Sequence, residues 1–139
     1  MEFFTVGTEI KLSLPFAQRI SAGFPSPAEE YLEVVLDLND ELIKNATATF
    51  YGRVKGNSMV EANIKDGDIL VIDKSLEAVN GDIAVFYLNG EFTVKRLKVE
   101  KGNVWLMPYN KDFAPNKVSP DSEFRIWGIV TNIVHKTRR

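Results

Sequence analysis

The chain reads as a mostly β domain, a curved and barrel-like antiparallel sheet with one or two short N-terminal helices and an extended N-terminal arm. Three observations predict it. From Thr47 onward the apolar residues fall in short β-branched or aromatic runs bounded by turn residues. Asn89-Gly90 separates two of these runs, and that dipeptide favours the type I′ turn of a tight hairpin because both central residues accept positive φ. The composition, 139 residues with 45% hydrophobic, 26% charged and a net charge of −2, is that of one globular domain able to bury a sizeable core.

In chain order, residues 1–25 form the expected arm. Ile10, Leu12, Leu14 and Phe16 alternate, but Gly7, Pro15 and Gly23 interrupt any long element, so the segment is extended and suited to a sheet edge or a partner chain. The second unit is expected over residues 26–139. At Ser26-Pro27-Ala28-Glu29 a capping Ser, a Pro at the first helical position and a Glu three residues on predict a helix start. Ala28, Tyr31, Leu32 and Val35 continue it as one apolar stripe ending near Asp37. Asn39 is expected to cap a further short turn through Leu42 and Ile43. Strands are predicted at Thr49 to Lys55, Ile69 to Ile72, Ile83 to Leu88, Phe92 to Val99, Val104 to Met107 and Phe124 to Val134. Turns at Lys65-Asp66-Gly67-Asp68 and Asn80-Gly81-Asp82 precede two of them, and Pro108, Pro115 and Pro120 mark a longer connection.

The composition also narrows the chemistry. With no cysteine there is no thiol nucleophile, disulfide framework or cysteine-based zinc site. The only histidine, His135, lies near the C-terminus among Lys and Arg, which leaves little for a Ser–His–Asp triad or a multi-histidine metal site. No cofactor or metal is expected. The charge balance of 17 Lys+Arg against 19 Asp+Glu argues against a large nucleic-acid footprint. No run approaches the roughly 20 apolar residues that cross a bilayer. The stretch Leu12 to Ala17 imitates a signal peptide but is too short, and Gln18 and Arg19 break it. A cytoplasmic protein without a membrane anchor is expected.

Two residues stand out for chemistry. Ser58, in Gly56-Asn57-Ser58-Met59, sits where a strand ends, and a serine at such a corner can be exposed beside backbone N–H groups, as an oxyanion hole needs; an ordinary turn or cap serine fits the same pattern. Lys95 lies in Phe92-Thr93-Val94-Lys95-Arg96-Leu97, where alternation puts Thr93, Lys95 and Leu97 on one face and Phe92, Val94 and Arg96 on the other, so neither face is cleanly polar. A desolvated lysine can serve as a general base, while a lysine on an edge strand can equally snorkel to water. With His and Cys so scarce, a serine–lysine pair is the nucleophile and base that the composition leaves.

Gly56-Asn57-Ser58-Met59, Asp66 to Asp73, Asn80-Gly81-Asp82-Ile83, Gly90 to Leu97, Met107-Pro108-Tyr109-Asn110 and Trp127-Gly128-Ile129-Val130 resemble, in order and spacing, the LexA/UmuD family of self-cleaving peptidases, and most closely its UmuD-type members. The likeness runs from about Ala22 to His135. It implies the LexA and signal-peptidase type of β fold, Ser58 as nucleophile, Lys95 as general base and the backbone amides of Asn57 and Ser58 as oxyanion donors. It implies self-cleavage at Ala22-Gly23, the only Ala-Gly pair in the sequence. It further implies stimulation by a RecA filament on single-stranded DNA in the SOS response, a homodimer, and service to an error-prone Y-family translesion polymerase without specific DNA binding. A catalytically idle interaction module of the same fold and the peptidase domain of a phage-type repressor are the alternatives. A repressor would carry a winged-helix DNA-binding domain ahead of this unit, for which the arm leaves no room.

Overall fold

The computed structural model describes residues 2–5, 13–16 and 34–138. Its elements are β1 (Glu2–Thr5), β2 (Ser13–Phe16), β3 (Val34–Asp37), α1 (Leu38–Leu42), β4 (Thr49–Arg53), β5 (Ile69–Asp73), β6 (Ile83–Leu88), β7 (Glu91–Glu100), β8 (Asn103–Met107), β9 (Asn116–Lys117) and β10 (Phe124–Val134), with single 3₁₀ turns at Ala46–Ala48 and Val60–Ala62. Eight strands form one sheet in the order β1-β4-β5-β10-β6-β7-β8-β9, while β2 and β3 pair separately. Every pairing is antiparallel. The mostly β antiparallel fold is as expected, although β1 and β9 end the order unpaired with each other, so the sheet stays open.

The Asn89-Gly90 hairpin joins β6 to β7, with φ of 49° and 87° at the two turn residues and Leu88 facing Glu91 across it. Long β10 sits in the middle, paired to β5 on one side and β6 on the other. Its register shifts between Ile126 and Gly128 and again between Val130 and Asn132, bulges that bend a strand and sharpen its twist. At Gly128 a Cβ would lie 2.5 Å from Cγ2 of Ile72, so only a glycine lets β10 pass this close to β5.

Successive residues of the central strands feed two apolar clusters. Val54, Met59, Ile64, Leu70, Ile72, Val85 and Val94 make one. Ala84, Phe86, Leu97, Leu106 and Ile129 make the other. Because β6 and β7 are covered on both faces, the sequence of β7 shows no clean polar side.

Near the N-terminus the structure departs from the expected pattern. Residues 26–33 of the anticipated helix lie outside the described residues, and its last four, Val34–Asp37, form β3 instead, facing Phe16, Pro15, Leu14 and Ser13 in turn. Two adjacent valines favour extended backbone, and pairing with β2 supplies ladder hydrogen bonds, which outweighs a stripe at helical spacing. The short helix follows as expected, but its cap is Asp37, whose carboxylate accepts from the N–H of Asn39 at 2.9 Å. Asn39 therefore sits inside the first turn. Glu2–Thr5 pairs with β4 at the sheet edge, and the Phe3 ring lies 4.5 Å from that of Trp127 and 4.9 Å from that of Phe92.

Candidate active site

Beyond β4 the chain turns at Gly56 and enters the segment that carries Ser58. Two buried apolar side chains, Met59 and Ile64, anchor this segment in the first cluster and leave Ser58 half-buried between water and core. The backbone closes on itself, with the Val60 N–H donating to the Asn57 carbonyl at 3.2 Å and those of Ala62 and Ile64 to the Met59 carbonyl at 3.0 and 3.2 Å. Side chains from elsewhere complete the hold. The Asp66 carboxylate accepts from the Gly56 N–H at 2.8 Å, and the Asn110 amide donates to the Asn57 carbonyl at 2.9 Å. Glu61 accepts from the Lys111 N–H at 3.2 Å while its own N–H donates to the Tyr109 carbonyl at 2.6 Å.

Lys95 arrives by a different route, as the β7 residue facing Ala84 of β6. Its Nζ donates to Oγ of Ser58 at 2.7 Å, to Oγ1 of Thr93 at 3.1 Å and to the Val94 carbonyl at 3.2 Å. Burial pushes the Lys95 amine below its ordinary pKa of 10.5, because a charged ammonium loses solvation there. All three hydrogen-bond partners of Lys95 are neutral oxygens, and it belongs to neither of the described ion pairs, Lys98 with Glu100 and His135 with Asp68. The neighbouring cation of β7, Arg96, points away and stacks over the Tyr109 ring at 5.3 Å.

Space is available on both sides of the pair. A cavity of about 90 Å³ lies beside Ser58, walled by Val54, Met59, Ile64, Phe92 and Val94. Another of about 180 Å³ lies beside Lys95, bordered by Leu88, Glu91, Thr93, Leu106 and Asn116. Thr93 borders both. A larger apolar groove of about 250 Å³, lined by Phe4, Leu38, Leu42, Ile43, Tyr51 and Val134, contains neither Ser58 nor Lys95.

The structure thus brings Ser58 and Lys95, 37 residues apart in sequence, into direct contact, with Asn57 next to them. Ala22 and Gly23 lie outside the described residues. Thr93, Asp66 and Asn110 are additional members of the site. Alternation along β7 already puts Thr93 on the face of Lys95, whereas Asn110, though part of the Met107-Pro108-Tyr109-Asn110 block, carries no local sign of its contact across 53 residues. His135 closes a contact that its place near the C-terminus did not suggest, its Nδ1 lying 2.7 Å from the buried Asp68 carboxylate. Among the described residues no cluster of His, Asp and Glu could hold a metal ion, and no helix is long and apolar enough to cross a membrane.

This arrangement can do one kind of chemistry well, the activation of a hydroxyl by a neutral amine next to an extended ligand. A family model described as Peptidase S24-like matches residues 15–131. Protein MucA of Escherichia coli is 48% identical over 122 residues, 86% of this chain and 83% of that protein. Protein SamA of Salmonella typhimurium is 44% identical over 123 residues, 88% and 85% of the two chains. The LexA repressor of Bordetella avium is 37% identical over 124 residues, 89% of this chain but 58% of the repressor.

Proposed function

Since the chain belongs to the peptidase S24-like family, we propose that it is a self-cleaving serine endopeptidase of the DNA-damage response, with Ser58 as nucleophile and Lys95 as general base. The observation that carries this reading is the 2.7 Å contact between Lys95 Nζ and Ser58 Oγ, made by a lysine whose burial favours the neutral amine.

The substrate is the chain's own Ala22-Gly23 bond, on an arm over residues 1–25 that precedes the peptidase unit. Neutral Lys95 takes the Ser58 proton as Oγ attacks the Ala22 carbonyl carbon. The resulting oxyanion is held by the N–H groups of Ser58 and Asn57. Lys95 then returns the proton to the Gly23 amine, which leaves as a new N-terminus while Ala22 stays esterified to Ser58. Water, deprotonated by the same lysine, hydrolyses the ester and regenerates the serine. Thr93 Oγ1 and the Val94 carbonyl hold Nζ in line throughout. Small residues at the scissile bond suit the confined space beside Ser58, and Gly23 lets the backbone approach closely.

The same reading assigns the partners. A RecA filament on single-stranded DNA stimulates cutting by favouring the docked arm, a shift of population between two states. The shortened product acts as a homodimer with an error-prone Y-family polymerase in the cytoplasm. Intact mass followed over time at neutral and alkaline pH, with and without RecA filaments, tests the proposal. Loss of residues 1–22 from the wild type, faster at alkaline pH and absent in Ser58→Ala and Lys95→Ala, is the expected outcome. An unchanged wild-type mass under every condition would mark an idle interaction module instead.

A further inference from the structure

The oxyanion-hole peptide has one feature that the serine–lysine pair does not explain, a carbonyl held from outside its own turn. The Asn57 oxygen accepts from Val60 N–H within the turn and from Asn110 Nδ2 across the site at 2.9 Å. In a planar trans peptide the carbonyl and the next N–H point in opposite directions. Fixing the Asn57 oxygen therefore fixes the aim of the Ser58 N–H, which donates in none of the described hydrogen bonds.

Asn110 is itself locked at both ends of its amide. Its Oδ1 accepts from the Asp112 N–H at 3.0 Å, and its backbone carbonyl accepts from the Phe113 N–H at 3.0 Å. These partners define which amide atom is which, because a backbone N–H can only donate and a carbonyl can only accept. The position needs an acceptor on one side and a donor on the other. Asparagine supplies both, whereas aspartate would keep the loop bond and lose the bond to Asn57. The 109–111 loop is tied to the serine segment independently, through Tyr109 and Lys111 to Glu61. It does not need the Asn110–Asn57 bond merely to stay in place.

We propose that Asn110 is a positioning residue for the proposed cleavage, a clamp that aims the Ser58 N–H at the developing oxyanion. It touches neither the substrate nor Oγ and acts through the Asn57–Ser58 peptide. The inference rests on the self-cleavage reading above, and the experiment separates the two. Cleavage rate against pH is measured by intact mass for the full-length wild type, Asn110→Asp and Asn110→Ala, with a thermal melt of each.

If the clamp is the role, Asn110→Asp cleaves as slowly as Asn110→Ala or more slowly, although it keeps the Asp112 bond. The plateau rate then falls about 10- to 100-fold, less than the ~10²–10³-fold of deleting an oxyanion donor outright. The midpoint of the pH profile stays where the wild type has it, because Lys95 keeps all three of its partners. Asn110→Asp at the wild-type rate overturns the inference and leaves the parent reading intact. So does a loss of rate matched by a fall in melting temperature below the assay temperature in both variants. A wild-type chain of constant mass overturns the parent reading and this inference with it.

Discussion

The two halves of the site are delivered to one point by different constructions. Lys95 is placed by a ladder, through the register Ala84↔Lys95 on β6 and, one residue on, Arg96↔Met107 on β8. Ser58 is placed by a short segment held by individual side chains, Asp66 on Gly56, Asn110 on Asn57 and Glu61 on Lys111. In a ladder the position of one residue is shared among many backbone hydrogen bonds, so no single side chain decides it. In the serine segment fewer bonds share the work, and each side chain aims one particular backbone group. The difference predicts that framework damage lowers stability before rate, while damage to the serine segment lowers rate before stability.

The sharpest break of this comparison is at Lys95, the proposed base. Lys95→Met is expected to abolish the proposed self-cleavage and to raise the melting temperature at neutral pH. The folded-state pKa of Lys95 lies below its unfolded value near 10.5, so the unfolded chain binds the proton more tightly. Wild-type stability therefore rises as pH climbs through the interval between the two values, and the advantage of the methionine, full below that interval, disappears above it. Melts of both proteins across this range check the sign; a lower melting temperature for Lys95→Met at neutral pH would contradict it.

Next comes the framework. Gly128→Ala puts a methyl group 2.5 Å from Ile72 Cγ2 and 3.3 Å from Lys74 Cγ, between β10 and β5. Overpacking of this kind destabilises by about 1–3 kcal/mol, read from denaturant unfolding. The cleavage rate below the melting transition is expected to stay close to wild type, since neither Ser58 nor Lys95 moves out of register.

The smallest effect on stability falls on the serine segment. Asp66→Ala removes the acceptor for the exposed Gly56 N–H and lowers stability by about 1 kcal/mol. The rate of the proposed cleavage is expected to fall by ~10-fold, because a shift of the Gly56–Ser58 backbone displaces Ser58 from Lys95. Stability loss without rate loss in Asp66→Ala would remove the distinction between the two constructions.

Much of the ladder was legible in the sequence, and for a physical reason. Strand and hairpin signals are local: β-branched runs such as Ile69-Leu70-Val71-Ile72 and the Asn89-Gly90 turn carry their conformation in adjacent residues. Among seven serines and eleven lysines, Ser58 and Lys95 could be picked out through the Gly56-Asn57-Ser58 corner, the mixed faces of the Phe92–Leu97 run and the family resemblance, while the scarcity of His and Cys excluded the usual partners. Val34–Asp37 departs from the helical expectation because a stripe at helical spacing competes with a partner strand whose paired residues, from Phe16↔Val34 to Ser13↔Asp37, lie far outside the reach of local spacing. Asn110 stood in one of the blocks that carry the family resemblance, but its contact could not be read for the same reason at greater range, since it depends on a carbonyl 53 positions away.

The outermost strand has a consequence of its own. Both β1 and β2 lie before Ala22, and β1 covers the edge of β4 with Phe3 against Phe92 and Trp127. While the chain is whole, the linker holds these strands at an effective concentration of roughly millimolar against their binding surfaces. Hydrolysis at Ala22-Gly23 would remove the tether without breaking one contact. From that moment the strand is a separate peptide whose occupancy follows mass action, so dilution alone would uncover the β4 edge.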